Sequence, residues 1–239
     1  MAGHSKWANI KHKKAKEDAK RGKIFTKLGC KLTTEARNGG GDPSINASLR
    51  LLIDKARQAN MPMDNITRAI KKGTGELEGA HYEEVMYEGY GPNGVALIIE
   101  ALTDNKNRTV AEIRHIFTKH GGHMAEGGAV AWKFAHKGVV ILHSGERSED
   151  DLLELFLEHG VEDISLSDGM ARIIGEVGDL NSLKTVAEQA GIEVESAELE
   201  WVPSSHTALP DQAAADKVHA FIDKLDDLDD VQQVFSDIE

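Results

Sequence analysis

Lysines recur near the start of the chain at the spacing of a single helix face. Six of them are separated by three or four residues, so a continuous helix would place them on one stripe. A stripe of ammonium groups can follow a phosphate backbone, because lysine binds phosphate as a point charge. Lysine outnumbers arginine here, and arginine is the better bidentate partner of guanine, so the pattern favours backbone affinity with weak sequence readout. The lysine stripe comprises Lys13, Lys16, Lys20, Lys23, Lys27 and Lys31.

Other basic and aromatic residues extend this predicted nucleic-acid-binding set. Residues 1–21 are densely basic and lack a periodic apolar face, so we expect an arm that orders on binding. Within it, Trp7 either stacks on a base or anchors the arm to the protein, and both alternatives stay open. The remaining members of the set are Lys6, Lys11, His12, Lys14 and Arg21.

The charge is distributed unevenly along the 239 residues. Taken whole, 28 Lys and Arg against 40 Asp and Glu give −12, which argues against a polyanion partner. Residues 1–75, however, hold 17 basic and 6 acidic residues, whereas residues 146–239 hold 5 and 25. Such asymmetry indicates a basic module that contacts nucleic acid. The alternative is a solvated charged face without a partner.

A glycine-rich segment at 121–128 is the second candidate site. It contains no Gly-Lys-Ser/Thr sequence, so a nucleotide-binding P-loop is excluded. The segment is either a plain strand connection or a flexible tip that contacts a partner such as a ribosomal cavity. The residues proposed for that partner contact are Gly122, His123, Met124, Glu126 and Gly127.

Three histidines and the single cysteine provide weaker candidates. His115, His120 and His123 lack the Cys/His pairing of a structural zinc site, so no metal site is predicted. Cys30 lies among basic residues that could lower its pKa, but without a His-Asp partner spacing it is expected to be a bystander thiol.

Two charged features have a structural and a functional interpretation each. We expect Asn107 to cap a helix and Arg108 to pair with Glu112 four residues on, rather than to contact phosphate. The acidic run Asp223–Asp230 could mimic nucleic acid or bind a cation, but a solvated helix end is favoured.

The chain shows no pattern of an enzyme or a membrane protein. No nucleophile–base pair or phosphate-cradling loop is evident, so we expect no catalysis, no cofactor and no small-molecule substrate. No apolar run approaches the roughly 20 residues of a membrane helix, and no secretory signal opens the chain. With one cysteine, these features indicate a cytoplasmic protein. A monomer is favoured, although no pattern decides the oligomeric state.

The first 75 residues predict a small helical domain. Apolar spacing indicates a helix over Gly22–Arg37, and a second that Asp42 caps and that runs to about Asn60. A short third helix follows Pro62, with Gly73 as its C-cap. Ile24, Phe25, Leu28, Leu32, Ala36, Leu49, Leu52, Ile53, Ala56, Ile66 and Ile70 are the expected inward residues.

The rest of the chain predicts α+β structure. Strands at Val139–His143, Asp163–Ser167, Met170–Glu176 and Ser196–Val202, with helices at Glu149–His159 and Leu180–Ala190, follow the ferredoxin-like order β-α-β-β-α-β.

The flanking segments supply the parts of a second such domain. The other expected strands are Val85–Tyr90, Val95–Leu102, residues 122–126, Val130–Phe134 and Val231–Phe235, and the other helices are Asn107–His120 and Gln212–Asp226. We therefore expect a helical bundle at residues 1–75 and a discontinuous α+β domain at 76–130 plus 203–239, with residues 131–202 inserted as a ferredoxin-like domain. One continuous larger sheet is the alternative.

Several strings of the sequence resemble the YebC/PmpR family: Met1–Trp7, Gly40–Pro43, Asn60–Ile66, Tyr87–Pro92 and Asp104–Thr109. The resemblance runs from Met1 to the tail around residues 229–235, and its start at Met1 favours a bacterial cytoplasmic member. It implies one helical and two α+β domains.

The resemblance also implies two alternative functions. Bacterial members of the family are described as DNA-binding transcriptional regulators. Other members are implicated in translation: they bind ribosomal RNA and act at the ribosome when it synthesises difficult nascent sequences such as proline runs. A mitochondrial relative is a translational activator of cytochrome c oxidase. Both functions need a polyanion-binding face, so the residues do not separate them.

Overall fold

A computed structural model describes residues 6–167 and 169–238, with side chains described from Gly22 onward. These residues form two compact units. The first contains the chain up to Gly94, Ile99–Ala125 and Leu209–Val234, and the second contains Val95–Ile98, Glu126–Ala208 and the chain from Phe235. The predicted α+β class, with a helical bundle and two ferredoxin-like domains of which one is inserted, is confirmed. The predicted domain boundaries stay a prediction.

The bundle consists of α1 (Lys6–Gly39), α2 (Ala47–Gln58) and α3 (Met63–Thr74). The segment from Lys6 to Arg21 was expected to become ordered only on binding, but it is part of α1. Its lysine, alanine and glutamate residues favour a helix. Its predicted binding residues have side chains outside those described: Lys6, Trp7, Lys11, His12, Lys13, Lys14, Lys16, Lys20 and Arg21. The core is formed by Leu28, Leu32, Ala36, Leu49, Ile53, Ala56 and Ile66, as the apolar spacing predicts. Ile24, by contrast, is 47 % exposed.

The start of α2 differs from the prediction. Asn46, not Asp42, is the N-cap: its Oδ1 accepts a hydrogen bond from Leu49 N at 3.0 Å. The buried Asn46 amide also donates to the carbonyls of Glu35 and Gly40, at 3.1 and 2.9 Å. Asp42 instead accepts from Ser44 N in the preceding turn. One side chain thus joins the end of α1 to the start of α2.

The end of α3 also differs. Gly75, with φ of +84°, is the C-cap, and Gly73 lies inside the helix. A Cβ at Gly73 would collide with the carbonyl of Thr33 and lie 2.7 Å from Ala36 Cβ. Glycine at 73 therefore serves the close crossing of α3 over α1 rather than the turn.

The first sheet has the strand order β3-β1-β2-β8, with β1 (Glu83–Tyr90), β2 (Ala96–Thr103), β3 (His123–Ala125) and β8 (Val231–Ser236). Two helices accompany it, α4 (Lys106–Lys119) and α7 (Gln212–Asp226). They meet through the rings of Phe117 and Phe221, whose centroids lie 5.1 Å apart in an edge-to-face arrangement. A Cβ at Gly89 would meet the ring of Phe117, which explains a glycine inside β1.

The second sheet has the order β5-β6-β4-β7, with β4 (Phe134–His143), β5 (Val161–Ser167), β6 (Met170–Gly175) and β7 (Val194–Pro203). Its neighbours are antiparallel, and α5 (Glu149–Phe156) and α6 (Leu180–Gln189) form the helical layer. The core includes Val140, Leu142, Leu152, Phe156, Ile173 and Leu183.

Both sheets have the spatial order of a ferredoxin-like domain, but the first is permuted. In it, β2, α4 and β3 form the opening β-α-β unit, and β8 lies beside β2. The strand between β3 and β2 in space is β1, which comes first in the chain.

The strand predicted at Val130–Phe134 is wrong. Ala131–Lys133 is a 3₁₀ turn, and β4 begins only at Phe134. Trp132 Nε1 donates to the carbonyl of Ala129 at 3.0 Å, which holds the turn. Among the described residues, no helix is long and apolar enough to cross a membrane.

Candidate nucleic-acid interface

The C-terminal half of α1 carries the described part of the lysine stripe. Lys23, Lys27 and Lys31 are four residues apart on α1 and therefore lie along one side of it. Leu28 and Leu32, offset by one position, enter the core of the bundle. Burial of the leucines thus fixes the direction in which the lysines project.

Two of these lysines form ion pairs with the end of α7. Lys23 Nζ lies 2.6 Å from Oδ1 of Asp227, and Lys27 Nζ lies 2.7 Å from Oδ1 of Asp226. Lys27 also donates to the main-chain carbonyl of Asp226 at 2.9 Å. The hydrogen bond from Lys23 lowers the pKa of Asp227 below its usual value, so this carboxylate is ionised at neutral pH.

The acidic run Asp223–Asp230 is largely exposed, as expected of a solvated helix end, but some of its carboxylates also form ion pairs that the sequence did not indicate. Asp226, Asp227 and Asp230 each have a cationic partner on another helix. The lysine partners lie 199 and 204 residues away in sequence, so no local spacing could indicate them.

Arg108 pairs with aspartates rather than with Glu112. Its Nη2 lies 2.7 Å from Oδ2 of Asp230 and 3.0 Å from Oδ1 of Asp104. The N-cap of α4 is Asn105, whose Oδ1 accepts from Arg108 N, and not Asn107 as predicted. The N-cap lies two residues earlier than expected. Asp230, 122 residues away in sequence, pairs with Arg108 in place of Glu112.

Lys31 has a different environment. It lines a cavity of about 550 Å³ together with Glu35, Glu84 and Glu100. Burial, followed by the charge of Glu84, raises the pKa of Glu35. Carboxylates around the cavity would repel a phosphate, so Lys31 is the least suited of the three described lysines to bind one.

The glycine-rich segment is partly an edge strand. His123 and Met124 belong to β3 and pair with Tyr90 and Gly89 of β1. The rings of His123 and Tyr90 lie 5.6 Å apart. Gly122 precedes this strand, while Glu126 and Gly127 follow it in a turn. This arrangement agrees with a strand connection, and the contact with a partner stays a prediction.

Sequence reasoning missed Trp132, which follows this segment. Its side chain is 73 % exposed, although tryptophan is usually well buried. The position of this tryptophan four residues after Gly128 could have indicated an exposed turn, but Val130–Phe134 was expected to be a strand.

Cys30 does not have the lowered pKa that its basic neighbours suggested. Burial raises the pKa of the thiol, against the opposing effect of a hydrogen bond with Tyr82. The charges of Asp230, Asp104 and Asp229 raise it further. Within the described part of the chain, no group of three His, Cys, Asp or Glu residues is arranged to hold a metal ion.

Two family models match the chain. One, described as the TACO1/YebC protein N-terminal domain, matches residues 5–76, and the other, described as the TACO1/YebC second and third domain, matches residues 82–238. These ranges cover the helical bundle and both sheets.

Named relatives resemble the chain over nearly its full length. A protein of Persephonella marina named "Probable transcriptional regulatory protein" is 52% identical over 240 residues, covering 100% of this chain and 96% of that protein. A protein of the same name from Halothermothrix orenii is 51% identical over 241 residues, covering 100% and 95%. The crystal structure of a conserved hypothetical protein from Aquifex aeolicus is 46% identical, with a TM-score of 0.84 over 98% of this chain and 97% of that one.

Proposed function

Because the chain belongs to the TACO1/YebC family, as its sequence motifs predicted, we propose that it is a DNA-binding transcriptional regulator of the cytoplasm. It binds the phosphate backbone through α1 and performs no catalysis. The names of its relatives as regulatory proteins support a role in transcription.

The anion-binding geometry of α1 is the observation that carries this proposal. Lys23 and Lys27 each hold an anionic oxygen at 2.6 to 2.7 Å, the distance of a charge-assisted hydrogen bond. The same spacing continues toward the N-terminus through Lys20, Lys16 and Lys13. A run of five such lysines can contact successive phosphates, with little selection among bases.

Equilibrium binding to labelled duplex DNA at several salt concentrations tests the proposal. Five phosphate contacts predict a slope of log affinity against log salt of about −4.5 for a duplex. Replacing Lys13, Lys16, Lys20 and Lys23 with glutamine should remove most of the binding. A matched variant with Lys106, Lys119, Lys184 and Lys217 changed to glutamine has the same net charge and should bind nearly as wild type does. A slope near zero, or equal losses in both variants, would contradict the proposal.

Two further measurements distinguish regulation from a role in translation. A preference for promoter over random DNA above about 10³-fold, the low end for specific DNA-binding proteins, would support a regulator. Stable co-sedimentation with ribosomes, without a promoter preference, would contradict it and identify ribosomal RNA as the polyanion.

A further inference from the structure

The C-terminal end of α7 presents carboxylates where helix electrostatics disfavour them. Asp226 is the last residue of α7 and Asp227 is its C-cap. The free carbonyls at a helix C-terminus carry partial negative charge, so aspartate there is unfavourable unless a cation compensates it. Lys23 and Lys27 of α1 supply such cations at 2.6 and 2.7 Å, and Lys224 in the last turn of α7 lies 3.8 Å from Asp227. The C-terminal end of α7 and the middle of α1 are therefore complementary in charge.

The contacts place two adjacent carboxylates on two adjacent lysines of the stripe. Asp227 pairs with Lys23, and Asp226 pairs with Lys27 one helical turn further along. Lysine presents no fixed fork of donors and accepts any compact anionic oxygen. A carboxylate and a phosphate oxygen therefore compete for the same ammonium group.

We propose that Asp226 and Asp227 are an internal substitute for phosphate, which occupies Lys23 and Lys27 until nucleic acid displaces it. This inference rests on the function proposed for α1 and concerns the regulation of that site. Nucleic acid can then bind Lys23 and Lys27 only when both ion pairs are open. The apparent affinity equals the intrinsic affinity multiplied by the fraction of molecules in which the pairs are open.

The exposure of the pairs suits displacement. The side chains of Asp226 and Asp227 are 57% and 53% exposed, whereas those of Lys27 and Lys23 are 17% and 38% exposed. Water and salt therefore reach both carboxylates, and the Lys23–Asp227 pair is the more open of the two. Pairs as exposed as these contribute little to stability. A polyanion with many phosphates can therefore open them, while a single anion at low concentration does not.

The alternative is a clamp that only holds α1 beside α7. In that case the aspartates stabilise the fold and have no effect on anion binding beyond their charge. The two explanations differ in one comparison, because loss of a clamp raises affinity no more than loss of the same charge elsewhere on α7 does.

The test is the double variant Asp226→Asn, Asp227→Asn, titrated against labelled duplex DNA. We expect its affinity to exceed that of wild type by about 2- to 30-fold, as the opening of two exposed pairs implies. The matched control is Asp216→Asn, Asp223→Asn, which removes the same charge from the same helix. Its carboxylates do not pair with Lys23 or Lys27 among the described contacts, so it reports the general effect of net charge. Equal gains in both variants, or no gain in either, would overturn the inference.

A second titration with inorganic polyphosphate separates this inference from the proposed function. Polyphosphate asks only whether the lysines accept an anion, whatever the natural partner. If neither the wild type nor the Asp226→Asn, Asp227→Asn variant binds DNA, the proposed function fails. A gain in polyphosphate affinity in that variant alone would still support internal competition. If the variants bind polyphosphate equally, the competition is absent. Thermal unfolding of each variant confirms that the fold is retained.

Discussion

Arg108 Nη2 donates to both carboxylate oxygens of Asp230, at 2.9 and 2.7 Å, and so joins the first turn of α4 to the residue before β8. The hydroxyls of Thr109 and Thr103 also donate to Oδ2 of Asp230, at 2.6 and 3.0 Å. Three elements of the first unit therefore depend on one carboxylate.

Replacing Asp230 with alanine should destabilise the protein by about 2 to 3 kcal/mol, because Arg108 and the hydroxyls of Thr103 and Thr109 would lose a shared acceptor in a mostly buried site. Urea unfolding followed by circular dichroism measures this change. The control is Asp104→Ala, which removes only the exposed partner of Arg108 and should have little effect. Equal losses in the two variants would show that the hydroxyl contacts are unimportant.

The same carboxylate predicts a pH dependence. Burial alone would raise the pKa of Asp230, but the hydrogen bonds from Thr109, Arg108 and Thr103 outweigh it and lower the pKa. With a lower pKa in the folded state, its contribution to stability is present above the unfolded pKa of about 3.9 and is lost as pH falls through the folded value. The difference in unfolding free energy between wild type and Asp230→Asn should therefore shrink below about pH 4. A difference that stays constant from pH 6 to pH 3 would contradict this assignment.

The stabilities of variants at Asn46 and Asp42 show which of these residues caps α2. Asn46→Ala should cost about 2 to 3 kcal/mol, since it removes an N-cap and leaves the carbonyls of Glu35 and Gly40 without their donor. Asp42→Ala removes only the hydrogen bond to Ser44 in an exposed turn and should change stability little. Thermal unfolding of both variants measures the difference, and a larger loss for Asp42→Ala would show that the cap is misassigned.

The Cys30 thiol should react slowly. Burial raises its pKa, so little of the reactive thiolate is present at pH 8. We expect labelling by a chromogenic disulfide to be roughly tenfold or more slower in the folded protein than in guanidinium chloride. Tyr82, whose pKa is raised to about 12, should likewise remain protonated throughout this measurement. Equal labelling rates in the two states would contradict the burial of the thiol.

Trp132 tests the partner contact predicted for the glycine-rich segment. Because 73 % of its side chain is exposed, Trp132→Ala should change stability by no more than about 0.5 kcal/mol. If the segment contacts a partner, ribosome or DNA association should weaken while the unfolding midpoint stays constant. Unchanged association would contradict a partner contact at Trp132.

Elements with a strong local period were predictable from the sequence. The helix at Gln212–Asp226 has the bounds that its apolar spacing predicted, and Leu28 and Leu32 are buried as their positions required. These features depend on residues within a few turns of one another, where the spacing of apolar side chains is informative.

Features that depend on distant residues were not predictable. The local sequence gives Gly73 the features of a C-cap, but the nearby carbonyl of Thr33 is what requires glycine there. Likewise, Arg108 has Glu112 at the spacing of a helical ion pair, but its partner in the structure is Asp230. The partners of Lys23 and Lys27 belong to the same class, since they lie 204 and 199 residues away in sequence, on α7. The candidate site was therefore predicted as a lysine stripe but without the carboxylates that occupy it.

The permuted order of the first sheet has a consequence for protein synthesis. All strands of the second sheet lie between Phe134 and Pro203, so this sheet can close while the remainder is still being translated. The first sheet must wait for β8, and α1 must wait for α7. The nascent chain therefore exposes its lysine-rich helix before Asp226 and Asp227 are synthesised, so Lys23 and Lys27 lack these ion-pair partners until translation is nearly complete.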